Sequence, residues 1–239
     1  MPATEHILRY WAVIPAAGSG SRMAADIPKQ YLPLNGQTVL EHALDTLLGC
    51  ARINGIVLAL SPDDSHWQAL EARYADRNLV CVSGGRERCH SVLHALEQLA
   101  AQADDTDWVL VHDAARPCLR PEDVDALIDT LAPATDGGLL GVPVSDTMKR
   151  TRPDGEITET VDRVHLWHAQ TPQMFRLGQL RSALEQALAQ DILVTDEAAA
   201  MELAGYHPRV VCGHADNIKI TVPEDLALAA FHLGQRKPS

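Results

Sequence analysis

The chain has 239 residues, of which 46% are hydrophobic and 4% are aromatic. This length and composition are sufficient for a large core of aliphatic side chains, and they exclude an intrinsically disordered protein. The 32 Asp and Glu residues outnumber the 20 Lys and Arg residues, which gives a formal net charge of −12. A charge of this sign repels nucleic acids and anionic membranes, so we expect neither as a partner, and any recognition of phosphate must be local.

Five cysteines are spread along the chain, an odd number without a C-x-x-C pair. This spacing is typical of reduced, mostly packed thiols and not of a disulfide framework. The apolar stretch at residues 10–17 is too short and too close to glycines for a signal sequence, and no apolar run reaches the length of a transmembrane helix. We therefore expect a cytoplasmic protein.

Apolar segments of strand character alternate with helical patterns through the first part of the chain. The predicted strands are residues 11–15, 55–60, 79–82, 108–112 and 138–143. Residues 39–48 have one continuous apolar helical face, and Ser61-Pro62-Asp63-Asp64 and Arg120-Pro121-Glu122-Asp123 are helix start signals. This alternation predicts βαβ units, and hence an α/β fold with a Rossmann-like, mostly parallel sheet flanked by helices.

The pattern is interrupted after residue 143 and then resumes. Residues 145–163 are polar and charged, and they contain the turn signal Pro153-Asp154-Gly155, so they predict an inserted β-hairpin arm. A helix over residues 177–189, a helix that starts near Thr195, and a final strand and helix around residues 218–233 follow. Thr221-Val222-Pro223-Glu224 has capping-box spacing at the start of the last helix. We predict one domain over residues 1–239.

A glycine-containing loop follows the first predicted strand. Its sequence is Pro15-Ala16-Ala17-Gly18-Ser19-Gly20-Ser21-Arg22-Met23, and Pro28-Lys29-Gln30 comes shortly after it. Two glycines allow backbone N–H groups to approach a polyanion, and Arg22 and Lys29 add positive charge, so the loop predicts a nucleoside triphosphate site. Met23 stands where a dinucleotide fingerprint requires glycine, and no Gly-Lys-Ser/Thr closes a P-loop. On the glycines alone, a simple turn remains the alternative.

Further polar residues follow the other predicted strands. Ligands of open parallel sheets bind beyond the carboxyl ends of the strands, so these residues are candidates for a binding site. The candidates are Gly18, Gly20, Arg22, Gly84, Gly85, Arg88, Ser91, Asp113, Arg116, Asp216 and Lys219. Asp113 directly follows a strand and is the best candidate ligand for Mg²⁺, with Asp216 as a second. The alternative to a metal ligand is a structural role in a turn. For Asp113 an ion pair with Arg116 is a further alternative.

Two pairs of histidines have a spacing that occurs in metal sites. His90 and His94 lie four apart beside Cys89, and His165 and His168 lie three apart. Neither pair has a partner motif for further ligands, so the sequence favours ordinary helix and loop positions. A G-x-S-x-G nucleophile motif is absent from the sequence, which argues against Ser-His-Asp hydrolysis.

Several blocks of the chain, taken in order, resemble one enzyme family. They are the loop at residues 15–23, Pro28-Lys29-Gln30-Tyr31, Val111-His112-Asp113-Ala114-Ala115-Arg116-Pro117, Asp146-Thr147-Met148-Lys149, Thr160-Val161-Asp162-Arg163, Gln170-Thr171-Pro172-Gln173, Thr195-Asp196-Glu197-Ala198 and Ala215-Asp216-Asn217-Ile218-Lys219. Together they resemble the 2-C-methyl-D-erythritol 4-phosphate cytidylyltransferases of the non-mevalonate isoprenoid pathway. The resemblance implies transfer of CMP from CTP to methylerythritol phosphate, with release of pyrophosphate.

The resemblance also implies roles for individual residues. Contacts to the nucleotide would come from Ala16, Ala17, Gly18, Gly20, Gly85, Arg88 and Ser91, with Arg22 and Lys29 at the phosphates as catalytic cations and Asp113 on Mg²⁺. Arg163, Thr171, Thr195, Asp216 and Lys219 would bind the methylerythritol phosphate, with Arg163 and Lys219 aligning it for attack. Arg116 and Thr147 would reach the pocket of a neighbouring subunit, which implies a homodimer joined through the arm at residues 145–163.

One position departs from the pattern, and two other functions stay open. Arg86 follows Gly84-Gly85, where an acidic residue is expected in some relatives, so a side-chain contact from this position to the nucleotide is in doubt.

A cytidylyltransferase for another polyol phosphate, such as ribitol 5-phosphate, is the nearest alternative function. A nucleotide-binding module without turnover is an alternative from a different class, although the joint presence of Arg22, Lys29, Asp113 and Lys219 argues against it.

Overall fold

The computed structural model describes residues 8–18 and 27–236. Within these ranges the polypeptide forms a seven-stranded sheet and two small two-stranded sheets. The strands are β1 (Tyr10–Pro15), β2 (Pro33–Leu34), β3 (Gln37–Thr38), β4 (Ile53–Leu60), β5 (Leu79–Ser83), β6 (Trp108–Val111), β7 (Gly138–Pro143), β8 (Met148–Thr151), β9 (Ile157–Val161), β10 (Trp167–Arg176) and β11 (Arg209–Cys212).

The large sheet has the strand order β11-β7-β10-β6-β1-β4-β5. Its pairs are parallel except those of β10, which runs antiparallel to both β6 and β7. The predicted α/β fold with a mostly parallel sheet is therefore confirmed. The parallel strands β1, β5 and β6 end at the same edge of the sheet, where Gly18, Gly85 and Asp113 follow them.

Helices cover both faces of this sheet. They are α1 (Val39–Gly49), α2 (Ser65–Gln68), α3 (Arg88–Leu99), α4 (Pro121–Leu131), α5 (Leu177–Ala189), α6 (Glu197–Leu203) and α7 (Pro223–Gly234). Alternate residues of β1 enter opposite cores: Ala12 and Ile14 pack with α1 and α4, whereas Trp11 and Val13 pack with α3, α5 and α6. This alternation follows from the two-residue period of a strand and makes β1 inaccessible from both sides.

The predicted arm is present as the hairpin of β8 and β9, and Gly155 adopts a left-handed φ of 90° in its turn. Its strands are exposed along most of their length. No helix in the described ranges combines the length and the apolar character needed to cross a membrane.

Two strands differ from the sequence prediction. The predicted strand near residue 218 is absent from the described part of the chain, and β11 forms the sheet edge instead. The sequence does not predict strand β10. Pro172 lies in the middle of this strand, and proline is disfavoured inside a sheet. The ladder to β7 is in fact irregular between Ala169 and Gln173, since proline has no N–H to donate.

Candidate active site

The segment after β1 is held by side chains from other parts of the chain. The Gln30 carboxamide donates hydrogen bonds to the carbonyl oxygens of Ala16 at 2.7 Å and Gly18 at 3.1 Å. Ser61 Oγ donates to the carbonyl oxygen of Ala17 at 2.9 Å. Three successive carbonyl groups are thus fixed, which holds the start of the predicted phosphate loop in one conformation. Gly20 and Arg22 lie outside the described residues.

A second glycine segment packs tightly against the first. A Cβ atom at Gly84 would lie 2.4 Å from Ala17 Cβ, and a Cβ atom at Gly85 would lie 2.3 Å from His90 Cβ. The backbone N–H of Gly85 donates to Ser91 Oγ at 3.0 Å, so the start of α3 is tied to this segment. Only glycine fits at either position without a displacement of its neighbours.

Asp113 lies beyond the end of β6 and gathers three cations around a buried carboxylate. Its Oδ1 accepts a hydrogen bond from Arg88 Nε at 3.0 Å. Its Oδ2 lies 2.9 Å from Lys219 Nζ and 3.6 Å from Arg116 Nε. Burial by itself would raise the pKa of Asp113, but the three cations outweigh it and hold that pKa well below the ordinary range. The carboxylate is therefore ionised at neutral pH.

His112 and Thr171 hold the backbone at Asp113. His112 Nε2 lies 3.0 Å from the carbonyl oxygen of Arg116 and Nδ1 lies 3.0 Å from Thr171 Oγ1, so Nε2 carries the proton and Nδ1 accepts from the hydroxyl. Thr171 Oγ1 in turn accepts from the backbone N–H of Asp113 at 3.1 Å. Burial lowers the pKa of His112 to about 4, which keeps the ring neutral and this arrangement intact at neutral pH.

Two clefts meet at the Asp113 carboxylate. The first, the nucleotide-side cleft, is lined by the predicted residues Ala16, Ala17, Gly18, Lys29, Gly85 and Ser91. The second, the acceptor-side cleft, is lined by Arg116, Gln170, Thr171, Gln173, Thr195 and Asp196. Arg88, Asp113 and Lys219 line both clefts. The three residues form a common wall, so ligands in the two clefts would meet the same charged groups.

Lys29 and Arg116 are anchored beside this wall. Lys29 Nζ donates to the carbonyl oxygen of Ile220 at 3.1 Å, which ties the segment after the loop to the segment that carries Lys219. Arg116 donates from Nη1 to the carbonyl oxygen of Asn217 at 2.7 Å, and its side chain is only 12% exposed. The guanidinium group of Arg116 therefore lies inside the acceptor-side cleft of its own protomer, a position that differs from the expected one at the pocket of a neighbouring subunit.

Other predicted residues lie away from the two clefts. Both carboxylate oxygens of Asp216 accept hydrogen bonds from Arg120, and Arg236 lies 3.6 Å away. Asp216 thus stabilises the loop before Lys219, and it is not among the described residues that line either cleft. This position differs from the predicted one of a substrate or metal ligand, because the carboxylate faces Arg120 and Arg236 and lies outside both clefts. Thr147 and Arg163 lie on the arm, where Arg163 donates to the carbonyl oxygen of Ser145.

Sequence reasoning gave no role to Glu197 or Gln30. Glu197 accepts two hydrogen bonds from Arg88, and Gln30 holds the loop after β1. Gln30 directly follows Lys29 in a motif that the sequence singled out, so its polar character next to a phosphate loop was an available signal. Glu197 likewise lies in the block Thr195-Asp196-Glu197-Ala198, but an acidic residue in the first turn of a helix is common without any partner, so its pairing with Arg88 had no local signal. Arg86, the departing position, is largely exposed.

Asp113 is the one residue of the common wall that would hold a divalent cation, and it would do so together with the phosphates of a substrate. Within residues 8–18 and 27–236, no group of three His, Cys, Asp or Glu side chains is arranged to hold a metal ion. The ionised Asp113 is a single oxygen ligand at the junction of the clefts. Mg²⁺ commonly takes one or two carboxylates and completes its shell with phosphate oxygens and water, so the residues fit Mg²⁺ bound together with a triphosphate.

The mostly parallel sheet, the glycine segments at its carboxyl edge and the cations around Asp113 define an α/β nucleotidyltransferase. A family model described as IspD, 2-C-methyl-D-erythritol 4-phosphate cytidylyltransferase, matches residues 10–235. The chain belongs to this family.

Individual relatives agree with this assignment. The chain is 57% identical over 219 residues to a 2-C-methyl-D-erythritol 4-phosphate cytidylyltransferase of Pseudomonas putida, with 91% of this chain and 92% of the relative covered. It is also 54% identical over 235 residues to the Pseudomonas fluorescens enzyme of the same name. That alignment covers 98% of this chain and 100% of the relative. Among solved structures, the Francisella tularensis IspD superposes with a TM-score of 0.81 at 35% identity over 94% of this chain and 99% of that chain.

Proposed function

We propose that this protein transfers CMP from CTP to 2-C-methyl-D-erythritol 4-phosphate and releases pyrophosphate. Membership of the cytidylyltransferase family supports the reaction. The observation that carries the proposal is the wall of Arg88, Asp113 and Lys219 shared by the two clefts. A reaction between two bound anions is favoured where cationic groups line both of their sites, and Arg88 and Lys219 supply such groups at this wall.

The nucleotide lies in the nucleotide-side cleft. The backbone of Ala16, Ala17, Gly18 and Gly85 contacts the cytidine, and Ser91 holds Gly85 in place through its hydroxyl. Tight packing between the two glycine segments supports this role, because the absence of side chains at Gly84 and Gly85 leaves a narrow cleft whose backbone a planar base can approach. Lys29 supplies positive charge to the triphosphate from the same cleft. Arg22 and Gly20, outside the described residues, are assigned to the phosphates by the same proposal.

The methylerythritol phosphate lies in the acceptor-side cleft. Lys219 faces its phosphate from the common wall and Arg116 faces it from beside that wall, and Thr195 and Thr171 line the remainder. Arg163 and Thr147 lie on the arm and are not among the described residues that line the clefts of their own protomer, so we assign them to the acceptor pocket of a partner subunit. Exposed apolar side chains at Ile157 on the arm and at Val164 directly after it, 58% and 63% exposed, support a homodimer formed through residues 145–163 of a one-domain chain.

Catalysis rests on alignment and charge. An oxygen of the acceptor phosphate attacks the α-phosphorus of CTP in line with the leaving pyrophosphate, and the attacking oxygen is already anionic, so no general base is needed. Lys219 and Arg163 orient the acceptor, whereas Lys29 and Arg22 stabilise the charge that grows on the α-phosphate and the leaving group. Asp113 would hold Mg²⁺, which when bound supplies charge neutralisation at the phosphates.

An assay of pyrophosphate release tests the proposal directly. The purified protein is supplied with CTP, Mg²⁺ and either methylerythritol phosphate or ribitol 5-phosphate, and the product is identified by mass spectrometry. We expect turnover with methylerythritol phosphate and a kcat/KM at least 100-fold lower with ribitol 5-phosphate. Lys29→Ala is expected to lose on the order of 10²-fold in kcat, the scale of one preorganised charged donor.

Two results would contradict the proposal. Preference for ribitol 5-phosphate would assign the protein to another polyol phosphate. Calorimetric binding of CTP without pyrophosphate release in the presence of either acceptor would indicate a nucleotide-binding module.

A further inference from the structure

Glu197 begins helix α6 with a carboxylate that is almost completely enclosed, since only 1% of its side chain is exposed. Its Oε1 accepts a hydrogen bond from Arg88 Nη1 at 2.6 Å, and its Oε2 accepts one from Arg88 Nη2 at 3.0 Å. Two parallel bonds between a carboxylate and a guanidinium group fix the plane of the guanidinium as well as its position. Glu197 therefore determines how Arg88 is oriented.

The orientation of Arg88 determines what Asp113 contacts. With both Nη atoms committed to Glu197, the donor that Arg88 presents to Asp113 is Nε, which lies 3.0 Å from Oδ1. Without Glu197, the same guanidinium fork is free to turn and to bind both oxygens of Asp113. Lys219 Nζ, now 2.9 Å from Oδ2, would then compete with a two-point partner for the same oxygen.

We infer that Glu197 is a positioning residue for the transfer reaction, acting through Arg88 to hold Asp113 and Lys219 in the arrangement that the wall between the two clefts requires. The inference rests on the proposed function, because it concerns the alignment of the two substrates. Glu197 is not among the described residues that line either cleft, so it acts without touching substrate.

The surroundings of Glu197 are rigid, as a positioning role demands. The side-chain amide of Gln173 donates to Asp196 Oδ2 at 2.9 Å, and its oxygen accepts from the backbone N–H of Ala198 at 2.8 Å. The first turn of α6 is thereby fixed to β10 on both sides of Glu197. Thr195, which lines the acceptor-side cleft, lies two residues before Glu197, so one tether connects the acceptor loop to Arg88 at the start of α3.

A buried ion pair of this kind also contributes to folding, so the test separates alignment from stability. Glu197→Gln cannot accept both bonds from Arg88, and it leaves a partly buried cation short of one partner. Glu197→Asp keeps the charge but is one methylene too short for the two-point contact. The double variant Arg88→Met with Glu197→Gln removes both charges. Glu202→Gln on the exposed side of the same helix is the matched control.

Turnover is measured by pyrophosphate release with CTP, Mg²⁺ and methylerythritol phosphate, and kcat is referred to the concentration of CTP-binding sites from calorimetry. We expect Glu197→Gln and Glu197→Asp to lower kcat at least tenfold while KM for CTP changes less than threefold. When Arg88→Met is already present, the additional change Glu197→Gln is expected to lower kcat by less than a further twofold. Glu202→Gln is expected to match the wild type.

The inference fails if Glu197→Asp retains kcat within twofold of the wild type. It also fails if the losses from Arg88→Met and Glu197→Gln multiply in the double variant, because Glu197 would then not act through Arg88. If Glu197→Gln does not fold, Glu197→Asp and the double variant, which has no unpaired charge, decide the outcome. A wild-type protein that binds CTP but gives no pyrophosphate would instead contradict the proposed function itself.

Discussion

The ammonium group of Lys219 lies 2.9 Å from Oδ2 of Asp113, although the two residues belong to distant parts of the sequence. Arg88 and Arg116 contact the same carboxylate, so three cations converge on one buried anion. Glu197 also pairs with Arg88, so three cations face two carboxylates and leave one net positive charge beside the clefts. Mutual repulsion of two phosphate-bearing substrates opposes their reaction, and a cationic wall between them lowers that repulsion.

Lys219→Met is expected to reduce kcat by about 10²-fold, the scale of one preorganised charged donor at a reacting centre. The fold is expected to survive, because Asp113 keeps Arg88 and Arg116 as partners. Steady-state pyrophosphate release at saturating CTP and acceptor gives kcat. Arg52→Met, which removes a cation paired with Asp129 on the surface, is the control and is expected to leave kcat unchanged. A Lys219→Met enzyme with kcat within threefold of the wild type would remove Lys219 from the transition state.

Gly84→Ala is expected to weaken CTP binding. The added methyl group would lie 2.4 Å from Ala17 Cβ and 2.9 Å from Ser91 Oγ, so the two sides of the nucleotide-side cleft must separate. We expect KM for CTP to rise about tenfold and the free energy of unfolding to fall by about 1–3 kcal/mol, the usual cost of overpacking. Gly49→Ala at the end of α1 is the matched control, since no atom lies within 4 Å of its added Cβ. Equal KM values for the two variants would refute the packing argument.

His112 is expected to make stability depend on pH in mildly acidic solution. Its pKa is about 4 in the folded protein because the ring is buried, against an ordinary value of 6.5. Between these values the unfolded chain binds a proton that the folded protein does not, so stability is lost as pH falls from about 6.5 towards 4. The contribution of His112 between pH 7 and pH 5 is about 2 kcal/mol, from about 1.36 kcal/mol per pKa unit.

Urea unfolding of the wild type and His112→Gln at pH 7 and pH 5 measures this contribution. The variant is expected to be less stable at pH 7, where it lacks the bonds to Arg116 and Thr171, but to lose less stability on acidification. His94→Gln, at an exposed position of α3, is expected to show the wild-type slope. If His112→Gln and the wild type lose the same free energy over this range, His112 is not held neutral in the folded state.

The variant Thr147→Ala tests whether the arm contributes to binding of methylerythritol phosphate. We expect KM for methylerythritol phosphate to rise about tenfold with little change in kcat, the signature of lost uniform binding. Thr130→Ala, at an exposed position of α4, is the control. If the arm acts on the partner subunit, a mixture of Thr147→Ala and Lys219→Met proteins forms hybrid dimers in which one site is intact. Recovery of low-KM activity on mixing supports action between subunits, and its absence would place Thr147 at its own protomer's site or outside the site altogether.

Much of the architecture follows from local sequence patterns. Apolar runs and helix start signals predicted β1, β4, β5, β6 and β7 to within a few residues, and the turn at Gly155 predicted the hairpin arm. The sequence patterns did not predict strand β10, because Pro172 disfavours a regular ladder. The backbone partners that make it a strand come from its position between β6 and β7. Gln170 and Thr171, in the irregular stretch of β10 next to Pro172, line the acceptor-side cleft.

For the active site too, some residues follow from the sequence and others only from the folded structure. The sequence by itself determined that a glycine loop, Lys29, Asp113 and Lys219 follow strands or lie in motifs of one family, because these signals depend on residues close together in the chain. Only the tertiary structure decided that Asp216 is neutralised by Arg120, and that Glu197 orients Arg88 against Asp113. Charged side chains select partners by distance and burial in the folded state, and no local pattern of residues specifies which of several acids and cations will meet.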